Sequence, residues 1–226
     1  MDEVLPLFKS QYSLGRSVLT LEKSEDMLAG GPDSIVDMAE KDGLKELALV
    51  DDSMTGFLQA YKNLSEKNIK LMFGLRMTVC PDMDEKSEGS INESCKYIIL
   101  SKNTSGYEKL IKISSLAAKK GFYYVPRTDF KHLKKIWDNK DLVLAVPFYD
   151  SFLHYNTLTT RICLPHFEFT NPIFFEENNS LPFDEVIRAS IMAFTKNGDL
   201  HPIVKAQSIF YKTKEDFKSY LTFRCI

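Results

Sequence analysis

The sequence is poor in cysteine and histidine, and none of these residues stands in a recognisable chemical motif. Its four cysteines, Cys80, Cys95, Cys163 and Cys225, are widely spaced and form no C-x-x-C pair. This spacing argues against a zinc ribbon or a thiol redox motif. It favours free thiols in a reducing compartment, so we expect a cytoplasmic protein.

Several signals of large protein classes are missing as well. The first residues carry no basic segment ahead of an apolar run, so we expect no signal peptide. No stretch approaches the ~20 apolar residues of a membrane span. The absence of G-x-G-x-x-G, P-loop and G-x-S-x-G motifs argues against a dinucleotide-binding fold, a P-loop nucleotide site and a serine hydrolase. The formal net charge of −2 gives no general attraction to nucleic acid.

What is present is the composition of an ordinary globular domain, 44% hydrophobic and 27% charged. Compact apolar runs, typical of buried strands, alternate with helical patterns. Strands are predicted near 4–8, 46–50, 69–79, 96–100, 142–146, 171–175 and 202–204, and helices near 34–43, 55–64, 105–118, 129–137, 183–194 and 214–225. This alternation predicts an α/β fold with mainly parallel strands in a barrel-like arrangement. We predict a single domain over 1–226, with an exposed acidic loop at about 81–94.

Two motifs carry a family resemblance. Residues 106–115 read G-Y-E-K-L-I-K-I-S-S, and residues 121–127 read G-F-Y-Y-V-P-R. They resemble the GY-x-NL-x-K-x-x-S helix and the GFYY-x-PR turn of the PHP (polymerase and histidinol phosphatase) domain of bacterial DNA polymerase III alpha subunits. Weaker similarities follow the family's order at 10–14, 39–52, 69–76 and 202–211. The resemblance implies a distorted (β/α)7 barrel of PHP type, TIM-like, with helices outside, and a place in DNA replication.

In that family, His, Asp and Glu side chains hold metal ions that activate water for attack on a phosphoester. The resemblance places the ligand positions at Leu7, Lys9, Asp51, Asp52, Arg76, Ser208 and Phe210. Asp51 alone keeps the family's residue. Leucine and phenylalanine cannot bind a cation, and the charges of Lys9 and Arg76 would repel one. We therefore expect a vestigial site with no catalytic residue and no metal; the middle ligands, near 147–149, do not align clearly.

The two adjacent carboxylates leave an alternative open. Asp51 and Asp52, at a predicted strand end, would suit a residual Mg, Mn or Zn site. An ion pair with Lys9 or Arg76 is the favoured interpretation. We further predict an internal ion-pair network that replaces the metal charge, with the planar guanidinium of Arg76 at its centre.

Other polar residues give weaker signals. The histidines, none of them at a ligand position, are interpreted as surface or capping residues: His132, His154, His166 and His201. A metal pair of His154 and His166 is a weak alternative. The acidic spacing within 82–93 does not follow an EF-hand, which favours a solvated loop over a calcium site. A basic face beside Tyr123 and Tyr124 could bind nucleic acid, although the acidic balance of the chain favours solvated helix faces; its lysines are Lys119, Lys120, Lys131, Lys134 and Lys135.

These substitutions predict a pseudoenzyme, a catalytically degenerate PHP-like domain with a structural or protein-interaction role in DNA replication. Its expected partners are replication proteins or polymerase modules, with a weak DNA contact as a further option and no membrane. Two alternatives stay open. One is a metal-dependent phosphoesterase, a 3'-5' exonuclease or a pyrophosphatase, with a rebuilt site; the other is a free-standing binding module.

Overall fold

Strands and helices alternate along the chain in the computed structural model, which describes residues 4–225. The strands are β1 (Leu5–Phe8), β2 (Glu46–Asp51), β3 (Lys70–Cys80), β4 (Cys95–Ser101), β5 (Arg127–Asp129), β6 (Leu142–Val146), β7 (Ile173–Glu176) and β8 (Ile203–Ile209). The helices are α1 (Ile35–Lys41), α2 (Phe57–Glu66), α3 (Glu88–Asn92), α4 (Thr104–Lys119), α5 (Phe130–Ile136), α6 (Phe152–Leu158), α7 (Asp184–Thr195) and α8 (Phe217–Phe223). The predicted elements are confirmed within a few residues at their ends, whereas α3, β5 and α6 were not predicted.

The strands are hydrogen-bonded in the order β2-β1-β8-β7-β6-β4-β3-β5, and β2 also pairs with β3. Because β2 pairs with both β1 and β3, the sheet closes on itself, and β5 is an extra strand paired with β3. Parallel pairs join β1 to β2, β2 to β3, β3 to β5, β6 to β7 and β7 to β8, whereas β4 and β6 are antiparallel. This order confirms the predicted α/β class, a (β/α)7 barrel with mainly parallel strands.

The packing of the chain divides it into two compact units. Unit 1 contains Arg76–Ala206, and unit 2 contains Leu5–Leu75 together with the described residues from Gln207 onward. The prediction of a single domain stays a prediction.

Unit 2 is built around the parallel pairs of β1, β2 and β3. In β2 five consecutive residues, from Leu47 to Asp51, are buried, as expected for a parallel strand covered on both faces. Register places Leu7 opposite Ala48 and Asp51 opposite Leu75. Because β2 ends at Asp51, this carboxylate lies at the carboxyl end of a buried strand, where parallel α/β folds place their functional groups.

Unit 1 has an aromatic core. Most of its ring contacts are edge-on or tilted and one is stacked, with centroids 5.1–6.5 Å apart, as aromatic pairs prefer. The rings include Tyr97, Phe130, Phe152, Phe167, Phe174 and Phe194. Polar side chains begin its helices. Asn103 accepts a hydrogen bond from the amide of Gly106 at the start of α4, and Asp129 accepts one from the amide of His132 at the start of α5. Asp129 thus caps α5.

The segment 81–94, predicted as an exposed acidic loop, is exposed at most of its acidic positions but is not irregular throughout. It contains α3, and the side chains of Met83 and Ser90 are buried. Arg127 reaches this segment and donates hydrogen bonds to Ser90 Oγ (2.6 Å) and to the backbone oxygen of Glu85 (2.9 Å). The segment is therefore attached to β5.

Across residues 4–225, every helix is too short or too polar for a membrane crossing.

Candidate functional site

The candidate site in unit 2 is centred on Asp51, whose side chain is fully buried. Its Oδ1 accepts hydrogen bonds from the backbone amide of Ser10 (2.9 Å) and from Ser13 Oγ (2.8 Å). Its Oδ2 accepts one from Ser10 Oγ (2.6 Å). Both carboxylate oxygens are thus engaged by donors of the same chain. The segment after β1 folds over the end of β2 because these hydroxyls satisfy a carboxylate that would otherwise be buried at a high cost.

Burial raises the pKa of Asp51, since it disfavours the charged form. The hydrogen bonds from Ser10 and the positive charge of Lys9 oppose this effect without cancelling it. The carboxylate is therefore stabilised by hydroxyl groups and an ammonium group.

Lys9 directly follows β1, and only 6% of its surface is exposed. Its Nζ lies 3.4 Å from Asp52 Oδ1, so the predicted contact of Lys9 with this pair of aspartates is confirmed. The amide of Asp52 donates a hydrogen bond to Ser13 Oγ (2.9 Å), which links Asp52 to the donor of Asp51. The backbone of Lys9 is anchored by its own amide, which donates to the oxygen of Ile209 (3.2 Å).

The remaining positions predicted in unit 2 are apolar or neutral. Leu7 is buried in β1. Phe210 follows β8, and its ring stacks on that of Tyr220, with centroids 5.8 Å apart. Ser208 is a half-buried residue of β8. Leu7 and Phe210 make the surroundings of β1 and β8 in unit 2 less polar.

Arg76 lies in unit 1, in the second half of β3, and 12% of its side chain is exposed. Its Nη2 lies 2.5 Å from Asp150 Oδ2. The hydroxyl of Tyr155 donates to Asp150 Oδ1 (3.2 Å). Arg76 thus forms an ion pair with Asp150, a carboxylate that was not predicted as its partner. Its pairing with Asp51 and Asp52 stays a prediction.

The groups around Asp150 have shifted pKa values. Burial alone would raise the pKa of Asp150, but the charge and hydrogen bond of Arg76 and the hydroxyl of Tyr155 outweigh it, so the net pKa lies below its ordinary value. Burial lowers the pKa of His154. The amide of Asp150 donates to Nδ1 of His154 (3.0 Å), which requires a lone pair on that nitrogen. His154 is therefore a neutral acceptor, and its ring contacts Tyr149 and Tyr155.

The comparison with known proteins identifies the family of this chain. A family model described as PHP domain matches residues 28–148, more than half of the chain. The chain belongs to the PHP domain family. This match confirms the resemblance found in the two motifs.

Curated relatives of this PHP domain are DNA polymerase III alpha subunits. The protein of Aquifex aeolicus is 27% identical over 199 residues, which are 81% of this chain and 17% of that protein. The protein of Chlamydia pneumoniae is 35% identical over 123 residues, 53% of this chain and 9% of that protein. The chain thus spans less than a fifth of the length of these relatives. A solved structure, a candidate metal-dependent phosphoesterase from Bifidobacterium adolescentis, aligns over 99% of this chain and 98% of its own with a TM-score of 0.45 and 11% identity. The family assignment rests on the sequence matches.

The donor set of this PHP domain does not fit the metal ions of its family. The ammonium of Lys9 lies beside Asp52, and the two oxygens of Asp51 already accept three hydrogen bonds. Within residues 4–225, no group of three or more His, Cys, Asp or Glu side chains is arranged to hold a metal ion. In the weak alternative pair, the ring of His154 contacts Tyr149, whereas the ring of His166 contacts Phe130.

Sequence reasoning missed the roles of Ser10, Ser13, Asp150 and Tyr155, and it named His154 only as a surface or capping residue or as half of a weak metal pair. The two serines lie in the S-x-Y-S stretch of the resemblance. Their hydroxyls matter because they donate hydrogen bonds to the buried carboxylate of Asp51. Asp150, His154 and Tyr155 follow β6 and come just after the residues near 147–149, where the family's middle ligands did not align. The available signal was Asp150, a carboxylate four residues after the end of a predicted strand.

Arg76→Ala should lower the free energy of unfolding by about 1–3 kcal/mol at neutral pH, because it leaves a mostly buried carboxylate without its cation. Asp150 has a lowered pKa in the folded state, so its contribution is present above its unfolded pKa of about 4 and is lost as the pH falls through the folded value. The difference between wild type and variant should therefore shrink below about pH 4. Urea unfolding at several pH values measures it. Lys119→Ala, at an exposed position, is the control, and an equal effect in both variants would contradict the prediction.

Proposed function

We propose that this chain is a catalytically degenerate PHP domain with a structural or protein-interaction role in DNA replication, acting in the cytoplasm. One observation carries the proposal. Lys9 places an ammonium 3.4 Å from Asp52 at a position where the family has a histidine ligand, beside an Asp51 that is enclosed by serine hydroxyls. An internal cation can then supply the positive charge that the family takes from metal ions.

The arrangement also lacks what phosphoester hydrolysis needs. Such a reaction requires a nucleophilic water and a stabiliser of the charge that develops on the phosphoryl group. Asp51 is fully buried, and its two oxygens already accept three hydrogen bonds from Ser10 and Ser13, which supports a role in the fold over one in orienting a nucleophilic water. His154 uses its Nδ1 as an acceptor for a backbone amide. These groups stabilise the fold.

The partners we propose are polymerase modules or other replication proteins, because the curated relatives are alpha subunits of DNA polymerase III. Whether polymerase coding sequence follows codon 226 in the source genome distinguishes a domain of a polymerase from a free-standing binding module. A polymerase reading frame supports the structural role.

The purified chain should contain no stoichiometric transition metal and should not hydrolyse phosphoesters. Elemental analysis by mass spectrometry measures Zn, Mn and Fe per chain. Single-stranded DNA, primer-template DNA and pyrophosphate are then offered with added Mg²⁺, Mn²⁺ or Zn²⁺. We expect no turnover above the protein-free control, because a bound metal needs several protein ligands.

Asp51→Asn and Asp26→Asn provide a matched pair for this test, since Asp26 is an exposed aspartate of the same unit. Turnover that disappears in Asp51→Asn and persists in Asp26→Asn would establish the alternative, a phosphoesterase with a metal at Asp51 and Asp52. About one tightly bound metal ion per chain would overturn the proposal in the same way.

A further inference from the structure

The turn of residues 121–127 in unit 1, which carries the family motif, is closed at its base. The backbone oxygen of Gly121 accepts a hydrogen bond from Arg127 Nε (3.2 Å). Gly121 lies so close to Arg127 that a Cβ atom at Gly121 would come within 1.9 Å of the backbone oxygen of Arg127. The two ends of the turn therefore touch, and the residues between them project as a short loop.

The projecting residues are aromatic or apolar, and they are exposed. Tyr124 has 76% of its surface exposed and Phe122 has 53%. Tyr124 also adopts a left-handed backbone with a φ of 59°, which is rare for a bulky side chain. The amide of Tyr123 donates to the oxygen of Val125 (3.1 Å) and holds this conformation. Strained backbone that persists at an exposed aromatic residue is typical of functional loops.

The buried guanidinium of Arg127 holds the base of the turn. The side chain of Arg127 is 1% exposed, and besides Gly121 it donates to Ser90 Oγ and to the backbone oxygen of Glu85. Its guanidinium also lies over the ring of Tyr123, 5.1 Å from the centroid. The rings of Tyr123 and Tyr124 are 4.8 Å apart. The aromatic residues are therefore held in one arrangement before any partner arrives, which reduces the entropy lost on binding.

The sequence around the turn is strongly basic, although the whole chain is slightly acidic. Residues 119–135 contain six Lys or Arg and one Asp. The one acidic residue, Asp129, is buried, and its carboxylate accepts hydrogen bonds from the amides of Met83 and His132. Lys119 and Lys120, at the end of α4, lead directly into the turn, and both are exposed. Two exposed cations and two exposed rings thus occur within residues 119–124.

We propose that Phe122, Tyr124 and the adjoining Lys119 and Lys120 form a binding site for single-stranded DNA. Unpaired bases have planar faces that stack on exposed aromatic rings, and the phosphates between them are attracted by lysine. An acidic protein surface would use the lysines but would not require rings held in a fixed, strained turn. Duplex DNA would offer the phosphates without free base faces. The combination in this turn fits unpaired nucleic acid.

Fluorescence anisotropy of a labelled oligothymidylate of about 12 nucleotides tests the site at low ionic strength, with the intact chain. Tyr124→Asn removes the ring and suits the left-handed backbone, so the fold is retained. We expect it to weaken binding about fivefold or more, as loss of one stacked base predicts. Tyr61→Asn, which removes a tyrosine of α2 with 55% of its surface exposed, should leave the affinity unchanged. Thermal melting of each variant verifies folding.

Two further comparisons separate stacking from charge. An abasic oligomer of equal length keeps the phosphates and loses every base, so wild type should bind it at least as weakly as Tyr124→Asn, which keeps Phe122, binds oligothymidylate. Lys119→Glu with Lys120→Glu should weaken binding more than Lys41→Glu with Lys218→Glu, a charge-matched pair of exposed lysines in unit 2.

Any of three results would overturn the site. These are no binding by wild type at low salt, wild-type affinity in Tyr124→Asn, or equal affinity for the abasic oligomer. Tight binding of an acidic protein that survives Tyr124→Asn, together with any of these, would assign the lysines to a protein partner. None of these outcomes affects the metal and hydrolysis tests, so the two proposals stand or fall separately.

Discussion

Asp51→Ala should lower the free energy of unfolding by about 3–5 kcal/mol, because each of the buried donors left without an acceptor costs about 1–3 kcal/mol. The substitution leaves the amide and hydroxyl of Ser10 and the hydroxyl of Ser13 without their acceptor inside the protein. It also removes the negative charge that interacts with Lys9. Unsatisfied buried donors are costly because water cannot reach them.

Chemical denaturation at neutral pH measures this loss. Asp51→Asn should be milder than Asp51→Ala, because an amide oxygen still accepts hydrogen bonds and burial already disfavours the charged carboxylate. Asp26→Ala, at an exposed aspartate, should change stability by less than about 0.5 kcal/mol. A loss below about 1 kcal/mol in Asp51→Ala would show that the serine hydroxyls and Lys9 find other partners without cost.

Gly121→Ala should destabilise the protein by about 3 kcal/mol, the upper part of the range for inserting a methyl group into a packed site. The added Cβ would meet the backbone oxygen and carbonyl carbon of Arg127, which cannot rotate away as a flexible side chain could. Relief requires movement of β5 relative to the end of α4. That movement would disturb the hydrogen bonds from Arg127 to the segment 81–94.

Gly89→Ala is the matched control for this prediction. Gly89 lies in α3, is exposed, and a Cβ there would be 3.6 Å from Ser87 Oγ, an ordinary contact. Alanine is favoured over glycine in a helix by roughly 0.5–1 kcal/mol, so this change should be neutral or stabilising. Thermal unfolding of the two variants measures the contrast. Equal melting temperatures would mean that the approach of Gly121 to Arg127 is not needed for stability.

Much of the fold could be predicted because strands such as β2 are buried on both faces and helices such as α4 and α5 begin with a capping residue. The apolar run of β2 and the cap of α5 by Asp129 are local signals that need no tertiary knowledge. The missed elements carry no such signal. β5 has three residues, Arg127–Asp129, two of them charged, and it forms only because β3 provides a partner and Gly121 makes room for it.

The residues of the candidate site were easier to predict from the sequence than the hydrogen bonds and ion pairs that they form. The family motif located Lys9 and Asp52, and opposite charges on neighbouring strand ends made their contact a reasonable expectation. The hydrogen bonds of Ser10 and Ser13 to Asp51 depend on how the backbone after β1 turns, which the sequence does not specify. The partner of Arg76 in unit 1, Asp150, is 74 residues away in the chain and has a left-handed backbone. Such distant pairing follows from tertiary structure alone.

The assembly of unit 2 from two distant stretches has a consequence for folding during translation. The pairs of β1, β2 and β3 can form once Leu75 has emerged, but β8 emerges only after all of unit 1 has been made. At about 5–20 residues per second this interval lasts on the order of 10 s. Until then Lys9 lacks Ile209 as an acceptor for its amide, and one edge of β1 is open. Open strand edges promote association between chains, so a nascent chain of this protein passes through a stage that chaperones would need to cover.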